Sequence, residues 1–233
     1  MTGDAFAGHY DDYYEQEGWF TDWRAAGARE KFENIAALWG NRPPSAIVDI
    51  GCGNGAIAAH MSEARFYSTL HGFDVSSSGV GQAKARNLPD ATFEVTAGSI
   101  PTEDKAFDLA VLSHVVEHVD EPRQVLREAA RVARHVIVEV PLEHTVRHGG
   151  DFQWTQTGHV NFYDLTLIRK LMQSCDLDVI GELVTTPGRV WASSQHDRKA
   201  YAKWAVKQIA LRAAPPVARG VFTYHATLLA ACQ

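Results

Sequence analysis

Asp49 stands two residues ahead of a glycine-rich turn, in the run Val48-Asp49-Ile50-Gly51-Cys52-Gly53-Asn54-Gly55. Asp74 closes a second apolar run, His71-Gly72-Phe73-Asp74-Val75-Ser76. Glycines permit a tight turn and let the backbone approach a ligand closely. A helix opening behind them presents free amides and a partial positive charge, which suits a carboxylate or a phosphate. Gly51, Gly53 and Ala56 formally satisfy the G-x-G-x-x-G/A pattern of a dinucleotide site. Asp49 argues against that ligand. A carboxylate at a strand tip faces whatever is bound there; it repels a diphosphate and pairs, directly or through water, with an α-amino group. Asp74 is placed to accept hydrogen bonds from both hydroxyls of a ribose, with Val75 packed on the adenine. S-adenosylmethionine combines an amino acid tail with a nucleoside and carries no phosphate.

Further along, His114, Glu117 and His118 are spaced i, i+3, i+4. If helical, they share one face. A histidine titrates near neutrality, so His114 is the first candidate to take a proton from a hydroxyl or ammonium nucleophile; the competing reading is a hydrogen-bonded histidine that shapes a pocket floor. Histidine and carboxylate at this spacing can also hold a divalent metal. The polar stretch Pro141–Gly158 holds Glu143, His144, Arg147, His148, Asp151 and Trp154, and with His159 it is expected to cover an acceptor pocket or simply to form a solvated loop. Tyr14 and Trp19 lie in an aromatic, acidic N-terminal segment that either covers the pocket or packs on the domain edge.

The elements that must position these residues alternate. Residues 23–40 read as a helix with Phe32, Ile35, Leu38 and Trp39 on an apolar stripe, stopped by Gly40 and the Pro43–Pro44 pair. Strands are expected at Ala46–Ile50, Tyr67–Phe73, Ala91–Val95, Phe107–Leu112, His135–Val140 and Leu177–Thr185, with a β-rich stretch at Val221–Ala231. Helices are expected from the glycine turn to about Ala64, then at Ser76–Arg86, Pro122–Ala133, Asp164–Cys175 and residues 196–213, with Ser76 and Asp164 as N-caps. Alternation of this kind requires crossover connections and a mostly parallel sheet with helices on both faces. Short, fully apolar strands fit a sheet covered on both sides. Ligands of such sheets bind at the carboxyl ends of the strands, near the topological switch point. The functional residues should therefore follow strands one, two, four and five.

The chain has 233 residues, 45% hydrophobic and 21% charged, which is the composition of an ordinary globular domain. A net charge of −6 argues against a grip on long nucleic acid. Cys52, Cys175 and Cys232 match no zinc spacing and read as reduced thiols of a cytoplasmic protein. No apolar run is long enough to span a bilayer, and the first residues lack the pattern of a secretion signal. Arg189–Arg219 is basic and carries Trp191, Tyr201 and Trp204. It reads as a solvated helix face, a partner for the acidic N-terminal segment, or a contact for an anionic acceptor.

Val-Asp-Ile-Gly-Cys-Gly-Asn-Gly resembles motif I of class I S-adenosylmethionine-dependent methyltransferases. Phe73-Asp74-Val75-Ser76 resembles their second motif, and Phe107–His114 followed by Glu117-His118-Val119-Asp120-Glu121-Pro122 resembles their fourth-strand motif. Gly158-His159-Val160-Asn161-Phe162-Tyr163 is similar to a segment of the small-molecule branch that includes the ubiquinone-biosynthesis O-methyltransferases. The likeness runs from about Ile47 to Val184. It implies a Rossmann-like, doubly wound α/β fold with a seven-stranded, mostly parallel sheet. It implies S-adenosylmethionine held by Asp49, Gly51, Cys52, Gly53, Gly55, Asp74, Val75, Ser99 and Ser113. It also implies His114 as the catalytic residue beside the methyl group, and an acceptor met by His114, Glu143, His144, His159, Tyr14 and Trp19. One feature departs from the family: no acid follows the third strand before Glu103, so Ser99 or backbone groups must meet the adenine amino group. Small-RNA 2′-O-methyltransferases bind a metal through a Glu-x-x-Glu-His motif and a later histidine. Here His114 replaces the first glutamate, the same Glu-His pair recurs in relatives without a metal, and no metal is expected.

The expectation is therefore methyl transfer to an O or N nucleophile of a small molecule, with no nucleic acid or membrane partner. Residues 1–45 would form a helical cap and residues 46–233 the methyltransferase domain, with an acceptor-covering loop at about 141–163 and a helical insertion at about 189–219. RNA 2′-O-methylation, nicotinamide-dependent dehydrogenation and non-catalytic binding of S-adenosylmethionine are the alternatives.

Overall fold

A computed structural model describes residues 19–96, 98–146, 158–190 and 198–233, with side chains from residue 25 onward. Seven strands form one sheet: β1 (Ala46–Ile50), β2 (Thr69–Asp74), β3 (Ala91–Val95), β4 (Phe107–Ser113), β5 (Ala133–Leu142), β6 (Leu177–Thr185) and β7 (Tyr224–Cys232). The helices are α1 (Trp19–Trp39), α2 (Ala56–Glu63), α3 (Ser77–Ala85), α4 (Pro122–Val132), α5 (Leu165–Gln173), α6 (Arg198–Ala213) and α7 (Pro215–Val221). The strand order is β3-β2-β1-β4-β5-β7-β6. Every pair from β3 to β5 is parallel, and β7 runs antiparallel to both neighbours. The order reverses at β1, between β2 and β4, which is the topological switch point.

Successive side chains of a strand point to opposite faces, and this sheet is apolar on both. Leu109 and Val111 of β4 join Ile47, Ile137 and Leu229 in a core covered by Ile35 of α1, Ala58 and Met61 of α2, and Val80 and Ala83 of α3. Ala110 and Leu112 join Val48, Val136, Val138 and Leu228 in the opposite core, covered by Leu126, Ala129 and Val132 of α4 and by Ile168 and Met172 of α5. The caps form as expected: Ser76 Oγ accepts from Gly79 N at 3.0 Å, and Asp164 Oδ1 accepts from Leu167 N at 2.8 Å.

Two elements differ from the sequence reading. The stretch from residue 215 opens as helix α7, because Pro215 and Pro216 take its first turn, where a missing N–H costs nothing. The last strand then begins at Tyr224 rather than Val221. β7 also inserts between β5 and β6, so β6 lies at the sheet edge. No helix of the described residues is long and apolar enough to cross a membrane.

Gly72 of β2 is fixed by crowding. A Cβ there would lie 2.5 Å from Phe93 Cδ1 and 3.0 Å from Cys52 Sγ, and both neighbours are buried. Gly72→Ala should cost about 1–3 kcal/mol of folding stability through overpacking. Urea denaturation measures it, and an unchanged midpoint would show that β2 and β3 separate more freely than this packing allows.

Candidate functional site

The glycine turn between β1 and α2 is tied to the tip of β2. Gly51 N and Cys52 N both donate to Phe73 O, at 2.7 and 3.1 Å. Gly51 adopts φ +78°, and a Cβ on it would lie 2.4 Å from Val115 Cγ2. Only glycine meets both conditions. The Asp74 carboxylate accepts from Gly53 N (2.7 Å) and from Ser76 N (2.9 Å). It thereby locks the turn after β1 to the turn after β2.

Asp49 is 2% exposed, and its Oδ2 has no hydrogen-bond partner among the described residues. Burial and the neighbouring Asp74 charge push its carboxyl up to about 7, against the pull of Lys31. Lys31 is brought in by α1. Burial lowers its ammonium from the ordinary value, while Glu139, Glu117 and Asp49 hold it up.

These turns open onto a cavity of about 800 Å³. Gly51, Asp74, Val75, Ser99, His114, Val115 and His118 are among its walls. An adenosyl amino acid fits the residues present: a glycine turn and a second acid, Asp74, at the adjoining strand end line the cavity, and the buried Asp49 carboxylate, just before that turn in sequence, has one oxygen without a partner among the described residues.

The match of the sequence to the methyltransferase-domain family covers residues 21–182, more than half of the chain. The chain belongs to that family. Among its relatives, trans-aconitate 2-methyltransferase of Deinococcus radiodurans is 33% identical over 136 residues, covering 57% of this chain and 49% of that protein. The mitochondrial ubiquinone biosynthesis O-methyltransferase of Saccharomyces cerevisiae is 29% identical over 106 residues, covering 42% of this chain and 33% of that protein. The matched part thus spans half or less of these relatives' lengths. Among solved structures, magnesium protoporphyrin IX methyltransferase of Synechocystis PCC 6803 with bound S-adenosylhomocysteine superposes with a TM-score of 0.64. The identity is 17%, over 99% of this chain and 97% of that one, a likeness of fold.

In this member of the methyltransferase-domain family the residues singled out by sequence fall into three groups. Gly51, Asp74, Val75, Ser99 and His114 line the cavity. Cys52, Gly53, Gly55 and Ser113 sit behind that wall. Gly53 spends its N–H on Asp74, Gly55 caps α2, and Ser113 pairs in register with Glu139. Burial and the charges of Asp49 and Asp74 push the Cys52 thiol well above its ordinary value, which leaves it a packing residue rather than a nucleophile. Tyr14 and the side chain of Trp19 lie outside the described residues, as do Arg147, His148, Asp151 and Trp154 of the loop.

The third group is the histidine cluster. Residues 114–120 form an irregular turn rather than a helix, and His114 takes φ +58°. Val160 N and Asn161 N both donate to Glu117 O, and Asn161 Nδ2 donates to the carbonyls of Val116 and Val119. Tyr163 Oη donates to Val116 O. The Gly158–Tyr163 segment therefore acts as a clamp on the turn after β4. It sets the His159 ring against His118, centroids 4.7 Å apart, and His159 Nδ1 lies 2.6 Å from Glu143 Oε2. His144 is drawn to a different partner, Asp164 at the start of α5, with Oδ2 3.3 Å from Nδ1, near the surface.

Sequence reasoning missed Lys31, Glu139 and His225. Glu139 is fully buried on the α1-facing side of β5, and its neighbours on β7 are Thr227 and His225. A lone acid inside the apolar run from His135 to Leu142 was the available signal. Burial works against the Glu139 charge, but His114 and His225 hold its carboxyl below the usual range. Burial and Lys31 oppose protonation of His114, yet Glu117 and Glu139 outweigh them and raise it. Glu128 was also missed. It accepts from Ile100 N at 2.6 Å and pairs with Arg131, and so fixes the loop after β3 in the place of the absent family acid.

Proposed function

We propose that this chain transfers the methyl group of S-adenosylmethionine to an oxygen or nitrogen of a small-molecule acceptor, a biosynthetic intermediate. The observation that carries the reading is one cavity that Gly51, Asp74, Val75 and His114 line together. The bound sulfonium supplies an already activated methyl carbon, so the chain's task is positioning and exclusion of water.

Asp49 pairs with the α-ammonium of the cofactor, and Asp74 adds the ribose hydroxyls to its two backbone contacts. Val75 packs on the adenine and Ser99 meets its edge. The tail lies along the Gly51–Gly55 turn, which hydrogen bonds to Phe73 and Asp74 hold in shape, with Cys52 and Ser113 supporting the wall. His114 is the catalytic residue, the side chain that meets the acceptor nucleophile. Glu143 and His159 stand beside that end, and His144, Tyr14 and Trp19 complete the proposed acceptor contacts. The names of the relatives, one acting on trans-aconitate and one in ubiquinone biosynthesis, support a small-molecule acceptor. Three free cysteines support a reducing, cytoplasmic setting.

Calorimetry with S-adenosylhomocysteine should give a stoichiometric complex; no heat at millimolar ligand would end the proposal. With an accepted substrate, His114→Gln should bind S-adenosylhomocysteine within about threefold of the parent yet turn over about 10²–10⁴-fold more slowly. Full turnover in that variant would remove His114 from the chemistry.

A further inference from the structure

The cluster behind the cavity wall has the composition of a metal site, and not the one foreshadowed by the sequence spacing. His114 comes from the turn after β4, Glu139 from the carboxyl-terminal half of β5, and His225 from the start of β7. No sequence motif links the three; only the insertion of β7 beside β5 brings them together. One ligand atom from each lies within 4.8 Å of the others. Glu139 Oε1 stands 3.7 Å from His114 Nε2 and 3.5 Å from His225 Nδ1. These separations are too long for good hydrogen bonds. They match donors sharing one ion: bonds of about 2.0–2.1 Å at tetrahedral angles place ligand atoms about 3.4 Å apart.

Two further observations point the same way. Glu139 is fully buried, and neither its Oε1 nor His114 Nε2 has a hydrogen-bond partner among the described residues. Buried polar atoms ordinarily have partners. The outer atoms of the same side chains face polar groups. Glu117 Oε1 lies 2.9 Å from His114 Nδ1 as an ion pair, without hydrogen-bond geometry, and Thr227 Oγ1 donates to Glu139 Oε2 at 3.1 Å. A carboxylate on the far nitrogen of a histidine, and a hydroxyl on the far oxygen of a carboxylate, orient these groups as ligands.

We propose that His114 Nε2, Glu139 Oε1 and His225 Nδ1 bind one divalent cation of borderline softness, in the class of zinc, cobalt or ferrous iron. Two imidazoles and one carboxylate suit these ions better than magnesium or calcium, which prefer all-oxygen sets. With Nε2 on the cation and Nδ1 against Glu117, His114 would act on the acceptor through the ion, and three protein ligands leave at least one coordination position for water or an acceptor oxygen. His114 and His225 side chains keep 17% and 19% exposure, while His114 Nε2 and Glu139 Oε1 themselves are buried. The role for an acceptor oxygen rests on the methyl-transfer reading; the cation site itself does not. Glu117, His118 and His159 form a separate group, with Glu117 turned toward His114.

Cobalt titration of the chelator-treated protein tests this. One equivalent of Co²⁺ should produce visible d–d absorption that Zn²⁺ displaces. His225→Ala and Glu139→Gln should each weaken cobalt binding by about 100-fold or more, and Thr227→Val by about 10-fold, in the range for lost outer partners. Circular dichroism identifies any variant that fails to fold, and Thr227→Val keeps the packing of the strand. His159→Ala should leave the spectrum unchanged. No absorption at millimolar cobalt overturns the site, and so does a spectrum lost in His159→Ala but kept in His225→Ala. Calorimetry with S-adenosylhomocysteine on the same samples reads the methyltransferase proposal separately.

Discussion

Asp74→Ala should lose S-adenosylhomocysteine binding by about 100-fold and also lower folding stability by about 2–5 kcal/mol. The two effects have one origin. The Asp74 carboxylate accepts from Gly53 N and Ser76 N, both at the mouth of the sheet. Truncation strands those two N–H groups, at about 1–3 kcal/mol each. It also frees the turn after β1 from the turn after β2, so the turn that borders the proposed ligand tail is no longer preorganised. Loss of the proposed ribose contact adds another charge-assisted bond of about 1.5–3 kcal/mol. Asp74→Asn keeps one acceptor oxygen and should recover part of the stability but little of the affinity. Urea denaturation and calorimetry on the same preparations measure both. Undiminished affinity in a folded Asp74→Ala protein would show that the ribose lies elsewhere.

Asp49→Asn should act with opposite signs on fold and ligand. Burial and the Asp74 charge push the Asp49 carboxyl up to about 7, above the ordinary value in the unfolded chain. The folded state therefore binds more protons than the unfolded state between about pH 4 and pH 7, and stability falls as pH rises through that window. Above it the ionised group costs the fold about 2–4 kcal/mol, three pKa units at about 1.4 kcal/mol each being the ceiling. Asparagine removes that cost, so the melting temperature near pH 8 should rise and its fall between pH 5 and 7 should flatten. The ligand loses its ammonium partner, and affinity should drop by about 10–100-fold, a charged hydrogen bond of about 1.5–3 kcal/mol. In the parent protein, S-adenosylhomocysteine binding below pH 7 should weaken and release a proton, which calorimetry in buffers of different ionisation heat detects. Proton-neutral binding at pH 6 would mean that the ligand does not draw on this carboxylate. Such a trade of stability for binding is common at functional sites.

The strand boundaries at Ala46–Ile50, Ala91–Val95 and Leu177–Thr185 were legible because apolar runs between turn residues leave little freedom in where a strand begins and ends. Asp49, Gly51 and Asp74 were legible for a different reason. The contacts they make lie within one strand–turn–helix unit and its parallel neighbour, and crossover connections fix which strand tips adjoin. Helix α7 was not legible, since a proline pair reads equally as a loop or as a helix start.

Sequence alone determined that acids and glycines would meet at the tips of β1 and β2, because a parallel sheet with right-handed crossovers leaves its first strands no other arrangement. The tertiary structure decided the rest of the site. Where β7 enters the sheet set His225 beside Glu139, and the clamp of residues 158–163 set His159 against His118. Those meetings join residues 86 and 41 positions apart. The pairing of distant strands, rather than any local spacing, brings them into contact.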